Sequence, residues 1–192
     1  MSLRARLLLS VATTLFVPIA AEATAGQAVD IGQALPTFEA ISLQGESLSL
    51  EAAVRDHKAV VVVFTSTVCP YARYFASHLR ELAESYGPRG VLFVGINSNN
   101  WEAPAEVTED AKEHGFTFPL LKDEHHVIAD RLGATRTPEA FLVDSTGNLR
   151  YRGWVKSKQE SPDLKRALDA VLAGRTVPRS VTKPFGCAID RF

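Results

Sequence analysis

Apolar residues follow two distinct rhythms along the chain. From Lys58 to Thr65 they are continuous, in the run Ala-Val-Val-Val-Val-Phe. An unbroken β-branched stretch of that length predicts a strand covered on both faces. Val91 to Asn97 predicts a second strand of the same kind. Between them the rhythm changes: Tyr71, Tyr74, Phe75, His78, Leu79, Leu82, Ala83 and Tyr86 recur at helical spacing. Pro70 opens this helix and Gly87-Pro88 stops it. Leu35 to Leu50 predicts two short strands about the turn Gln44-Gly45-Glu46. After Asn97 the pattern predicts a helix over Ala103–His114, a short strand over Phe116–Leu121 and a helix over Glu124–Leu132, with Gly133 as its stop. Glu139–Asp144 and Leu149–Gly153 flank Ser145-Thr146-Gly147-Asn148, the signature of a hairpin. Pro162–Leu172 predicts a last helix, and Thr176 to Phe192, with Pro178 and Pro184, an extended or irregular tail.

Strands joined through helices imply right-handed crossovers and a parallel centre, and the closing hairpin adds antiparallel strands. The expected fold is therefore α/β: a thioredoxin-like three-layer sandwich with a central mixed sheet and helices on both faces. The first 25 residues stand apart from this pattern. Arg4 and Arg6 precede an apolar run from Leu7 to Ala21, and small residues follow at Ala21, Ala23 and Ala25. Those are the three parts of a secretory signal. The apolar run is shorter than the roughly 20 residues needed to span a bilayer, so no membrane anchor is expected after cleavage. Residues 1–25 are thus a candidate signal peptide, 26–175 a single domain and 176–192 a tail. Without the leader the chain carries 19 basic and 21 acidic side chains. That balance gives no electrostatic ground for nucleic acid or an anionic membrane as partner.

Two cysteines, Cys69 and Cys187, remain in the exported chain. An even count in an oxidising compartment favours a pair over two free thiols. Cys69 ends a buried strand and immediately precedes the helix opened by Pro70. The first helical N–H groups have no intrahelical partner, and with the helix dipole they stabilise an anion there. A thiolate is the reactive form of cysteine, so position and chemistry both point to a nucleophile. A small apolar cysteine buried at a strand end is the competing reading. The histidines do not assemble a metal site: His125 and His126 diverge by about 100° on a helix, His78 lies on the apolar face of the main helix, and His57 and His114 fall on the surface. The acidic residues Asp123, Glu124, Glu106, Glu109 and Asp110 lack motif spacing and are expected to be solvated.

Phe64-Thr65, Val68-Cys69-Pro70-Tyr71, Val94 to Asn99 and Thr137-Pro138 through Asp144 together resemble the redoxin branch of the thioredoxin superfamily, the alkyl hydroperoxide reductase and thiol-specific antioxidant relatives. Gly32 to Phe38 is similar to the start of that domain, and Gly186-Cys187-Ala188-Ile189 to a Gly-Cys tail found in one subgroup. The resemblance runs from about Val29 to Ile189. It implies a thiol oxidoreductase or peroxidase that needs no bound cofactor, with peroxide or a protein disulfide as substrate and an external thiol/disulfide protein as electron donor. It also implies a cis-proline at Pro138 lying against Cys69, with the Thr137 backbone presented to the substrate. The leader predicts export, to the periplasm in a cell with two membranes.

This chain departs from the redoxin pattern in ways that matter. The second cysteine of a dithiol motif is replaced by Ala72, so Cys69 cannot close a disulfide within its own motif. Of the peroxiredoxin signature, the proline seven residues before the cysteine is Val62, whereas the hydroxyl three before it is present as Ser66. The late-strand arginine would fall near Pro138, and Arg136, two positions away, is either its substitute or a surface residue. Cys187 is the natural partner for Cys69. It could resolve a sulfenic acid at Cys69 from a flexible tail, or form a permanent bond that pins the tail. A third possibility is that the chain is a binding module that has lost its chemistry.

Overall fold

The structure, a computed structural model, describes residues 29–156 and 162–191. In chain order its elements are β1 (Glu39–Ile41), β2 (Ser47–Ser49), α1 (Leu50–Asp56), β3 (Ala59–Thr65), α2 (Pro70–Tyr86), β4 (Val91–Asn97), α3 (Pro104–His114), β5 (Leu120–Lys122), α4 (Val127–Leu132), β6 (Arg136–Thr137), β7 (Glu139–Asp144), β8 (Leu149–Gly153), α5 (Asp163–Leu172) and β9 (Cys187–Ala188). The candidate leader, residues 1–25, lies outside the described residues.

The central sheet has the order β5-β4-β3-β7-β8. Strands β3, β4 and β5 run parallel, and β7 and β8 join antiparallel. This is the mixed sheet the element order implies, with helices on both faces, and the fold is thioredoxin-like. All seven residues of β3 are buried, and the period-2 alternation of a strand explains why. Val61 and Val63 face a core built with Leu79, Leu82 and Tyr86 of α2, Val107 of α3 and Leu164 and Leu168 of α5. Val60, Val62 and Phe64 face the opposite core with Leu50 of α1, Ile128 and Leu132 of α4, and Phe141 and Val143 of β7.

Four local differences from the sequence pattern have physical causes. Helix α1 is not apparent in the sequence because it spans two turns; Ser49 caps it, its hydroxyl accepting the Ala52 N–H at 3.5 Å. The strand expected over 116–121 is displaced to β5, where Gly95, Ile96 and Asn97 of β4 supply its pairing partners. The helix expected from Glu124 starts only at Val127, because His125 and His126 both adopt left-handed backbone (φ 60° and 58°). Lastly, the tail is not irregular throughout: β9 pairs antiparallel with β6, with Cys187 opposite Thr137 and Ala188 opposite Arg136.

Candidate active site

Cys69 occupies the N-cap position of α2, with Pro70 as the first helical residue. It is 1 % exposed. Its thiol donates to the Thr137 carbonyl oxygen at 3.1 Å, and the Thr137–Pro138 peptide is cis, as the resemblance implied. Burial pushes the Cys69 thiol up, but hydrogen bonding from the Cys187 thiol and the Ala72 and Cys187 amides outweighs it. The thiol therefore lies below its ordinary value. The Ala72 amide belongs to the first turn of α2, where N–H groups have no carbonyl four residues back to bond. Ala72 itself is buried, so the place of a second motif cysteine is taken by a methyl group facing the interior.

Cys187 is half-buried, and both cysteines are thiols in this structure. Its thiol is raised to about 11, by burial first and then by the Cys69 sulfur beside it; the Arg136 charge works in the opposite direction. The two sulfurs therefore differ in acidity, with Cys69 the more acidic.

The segments around the cysteines are anchored separately. The loop before β7 is fixed by Glu139, fully buried, which accepts the Thr135 N–H at 2.9 Å and the Arg136 N–H at 3.3 Å and pairs with Arg152 Nε at 3.0 Å. Removing one partner of such a buried pair leaves a desolvated charge, so both side chains are needed. The tail is not the flexible arm expected from its composition. Phe185 packs edge-on against Tyr71 and Trp154, with ring centroids 5.1 and 5.7 Å away. Arg136 Nη1 donates to the Gly186 carbonyl at 2.8 Å. Gly186 has φ +134°, and a Cβ there would collide with the Thr137 carbonyl. Beyond Cys187, Ile189 is buried in the core, its N–H donating to the Thr135 carbonyl at 3.1 Å. His126 Nε2 lies 2.7 Å from the Asp190 carbonyl.

Of the residues singled out in the sequence, Ser66, Cys69, Pro70, Thr137, Pro138 and Cys187 converge here. Ser66 Oγ accepts the Cys69 N–H at 3.2 Å. Arg136 stands beside Cys187 and the tail, and its described hydrogen bond goes to Gly186. Val62 is a core residue of β3.

Three groups expected at the surface are not there. Asp123 is 4 % exposed and accepts the Ile128 and Ala129 N–H groups, each at 2.9 Å, at the start of α4. His114 and Asp110 face each other at 3.4 Å, with side chains 18 % and 12 % exposed. His78, expected on the apolar face, is half-buried, 3.9 Å from Glu81, and burial holds its imidazole below the usual value. Among the described residues no group of three or more His, Cys, Asp or Glu could hold a metal ion, and no helix is long and apolar enough to cross a membrane.

Glu102 is the residue the sequence did not mark. It is fully buried, and its carboxylate accepts the Ser66 hydroxyl at 2.6 Å, the Thr67 N–H at 2.6 Å, Asn97 Nδ2 at 2.7 Å and Asn99 Nδ2 at 2.5 Å. A signal existed. Thr65 and Asn97 pair in register at the ends of parallel strands β3 and β4. Their following loops, Ser66–Cys69 and Ser98–Glu102, must therefore lie side by side at the carboxyl end of the sheet, where functional loops of α/β folds gather.

A thioredoxin-like fold with a single cysteine at the start of its first long helix, under a cis-proline loop, defines a protein of the redoxin class. The chain belongs to the AhpC/TSA family, whose sequence profile matches residues 31–152. It is similar to the thiol-disulfide oxidoreductase ResA of Geobacillus thermodenitrificans, 25 % identical over 146 residues, which are 75 % of this chain and 79 % of that one. It is also similar to the thiol:disulfide interchange protein DsbE of Yersinia pestis, 30 % identical over 123 residues, covering 64 % of this chain and 63 % of DsbE. Among solved structures, a hypothetical protein from Sinorhizobium meliloti superposes with a TM-score of 0.79 at 30 % identity, covering 88 % of this chain and 98 % of that one.

Proposed function

We propose that this chain is an exported thiol-disulfide oxidoreductase of the redoxin type, with Cys69 as nucleophile and Cys187 as its resolving partner. The observation that carries this reading is the β6–β9 pairing. It sets Cys187 opposite Thr137, the residue whose carbonyl accepts the Cys69 thiol. With a hydroperoxide, the Cys69 thiolate attacks one peroxide oxygen; the O–O bond breaks, and the leaving alkoxide or hydroxide takes a proton. The sulfenic acid at Cys69 then condenses with the Cys187 thiol, forming the S–S bond and releasing water. With a disulfide substrate, the Cys69 thiolate bonds to one substrate sulfur and releases the other as a thiolate. Cys187, losing its proton, then attacks the Cys69 sulfur and releases the bound substrate sulfur as a thiolate. Both routes end in an oxidised Cys69–Cys187 pair. An external dithiol protein reduces it, becoming a disulfide itself. Ser66, Pro70, Thr137 and Pro138 hold the reacting sulfur in place, and Arg136 favours the Cys187 thiolate that each route needs. No cofactor enters either route. The leader over residues 1–25 supports export to a periplasmic, oxidising compartment, in which 26–175 is the redoxin domain and 176–192 the tail.

The test is the reduction potential of the pair, measured by equilibrating the protein in thiol/disulfide buffers and trapping its thiols. Exchange-active pairs lie at about −120 to −270 mV, and structural bonds below about −300 mV. A value in the upper range supports the reading. A value below it makes Cys187 a staple.

A further inference from the structure

Glu102 is a buried carboxylate that neither route uses, and taking an ionised group out of water carries a large cost unless it is hydrogen-bonded. Here four donors converge on it. Burial pushes its carboxyl up, but the Ser66 hydroxyl, the Thr67 amide and the Asn99 side chain outweigh this and hold it below the usual carboxylate range. Lys122 lies one residue further out, its ammonium donating to Asn97 Oδ1 at 2.8 Å and to the Asn99 carbonyl.

What these donors carry on their other side is the informative part. Ser66, having given its proton to Glu102, presents oxygen lone pairs to the Cys69 N–H at 3.2 Å and the Val68 N–H at 3.4 Å. Asn99, having given its amide hydrogen to the same carboxylate, presents Oδ1 to the Asp190 N–H at 2.8 Å. One carboxylate therefore orients a side chain that holds the Cys69 loop and another that holds the Cys187 tail.

We propose that Glu102 is a positioning residue that fixes the tail strand against the Cys69 loop and so sets how readily the Cys69–Cys187 disulfide closes. This rests on the reading of the two cysteines as a redox pair. Closing the bond removes two electrons and two protons, which the thiol/disulfide couple in solution accepts. A preorganised Cys187 makes closure favourable because the ordering of the tail has already occurred in the reduced state.

The experiment compares the pair's reduction potential in the wild-type protein, Glu102→Gln, Asn99→Ala and the double variant. Glutamine keeps the shape but turns an NH2 group toward groups that are themselves donors. Glu102→Gln is expected to lower the effective concentration of Cys187 at Cys69 at least tenfold, a rise in potential of about 30 mV for a two-electron couple. Asn99→Ala should move it the same way by a smaller amount. The double variant should fall short of the sum, since both act through one bridge. Near-ultraviolet circular dichroism checks that the fold is intact. Unchanged potential in a folded Glu102→Gln protein, or strict additivity, overturns the inference. If Glu102→Gln does not fold, Asn99→Ala decides, and an unchanged potential there overturns it too. A wild-type protein that forms no Cys69–Cys187 disulfide at any potential instead overturns the redox-pair reading.

Discussion

The Cys69 segment is held by the elements on either side of it: a strand buried along its whole length runs into the loop, and a 17-residue helix leaves it. The Cys187 segment has a two-residue strand and no helix, and its position comes from contacts with distant residues, Thr135, Thr137, His126, Asn99 and the aromatic side chains around Phe185. One sulfur is placed by the core and the other by a docked strip of backbone. Free energies of local opening follow the density of buried contacts. The tail should therefore release Cys187 far more often than the core releases Cys69, a difference the proposed roles can use: Cys187 docked for closure in the reduced state, yet able to leave when the pair is reduced from outside.

Deleting each sulfur in turn tests this contrast most strongly. Cys69→Ser should abolish thiol-dependent turnover, a loss of about a thousandfold or more, whichever substrate is used. Cys187→Ser should leave the first attack intact and stop the cycle after it, with Cys69 accumulating as sulfinic acid under excess peroxide. Mass spectrometry of the peptide carrying Cys69 distinguishes the two. Equal, complete loss of the first turnover in both variants would mean that the sulfurs do not divide the work in this way.

Gly186→Ala should have the next largest effect. Its backbone lies in a region nearly reserved for glycine, and the added Cβ meets the Thr137 carbonyl, so the docked state should lose about 2 kcal/mol. The loss should fall on the tail alone: limited proteolysis beyond residue 175 should accelerate while the thermal midpoint of the domain barely moves. Phe185→Ala removes the edge-on contacts with Tyr71, Phe75 and Trp154. It should cost about 1 kcal/mol, seen as faster hydrogen exchange of the β9 amides with that of β3 unchanged.

Acidification gives the smallest effect and a different pattern. The Glu102 carboxyl is depressed in the folded state, so its contribution is complete above the unfolded value of about 4.3 and is lost as pH falls through the lower folded value. Because Glu102 reaches toward both cysteine segments, lowering the pH below about 4 should raise exchange in the Cys69 loop and in the tail together. Gly186→Ala, in contrast, should loosen only the tail. Hydrogen exchange at pH 7 and pH 3.5, corrected for intrinsic rates, makes the comparison.

The same contrast explains what was legible in the sequence. The Cys69 environment could be read because each determinant is local: the Val-rich run, Pro70 and the helical spacing after it. Pro138 was legible through the family resemblance and its place before β7. The docked tail was not, because His126, Asn99 and Phe185 are separated from one another by tens of residues and none follows a periodic pattern. Asp123 and Glu102 were misplaced or missed for a related reason. A buried carboxylate looks like a solvated one in a sequence unless its donors are already located in space. The in-register ends of β3 and β4 were the available clue, since they bring the Ser66 and Glu102 loops together.

The short β6–β9 pairing also has a consequence for chain length. Side chains alternate along a strand, so a shift of one residue exchanges every inward position for an outward one. Here that shift would put Ala188 or Gly186 where Cys187 now stands. Phe185 in its aromatic nest, Gly186 against Thr137 and Ile189 in the core set the phase from both sides. The stretch before Pro184 is docked as well, with Val177 in the core and Thr182 bonded to Tyr151 and Trp154, so the phase is held from that side too. A single residue inserted between Phe185 and Ile189 would leave the fold standing and its second sulfur facing away from the first.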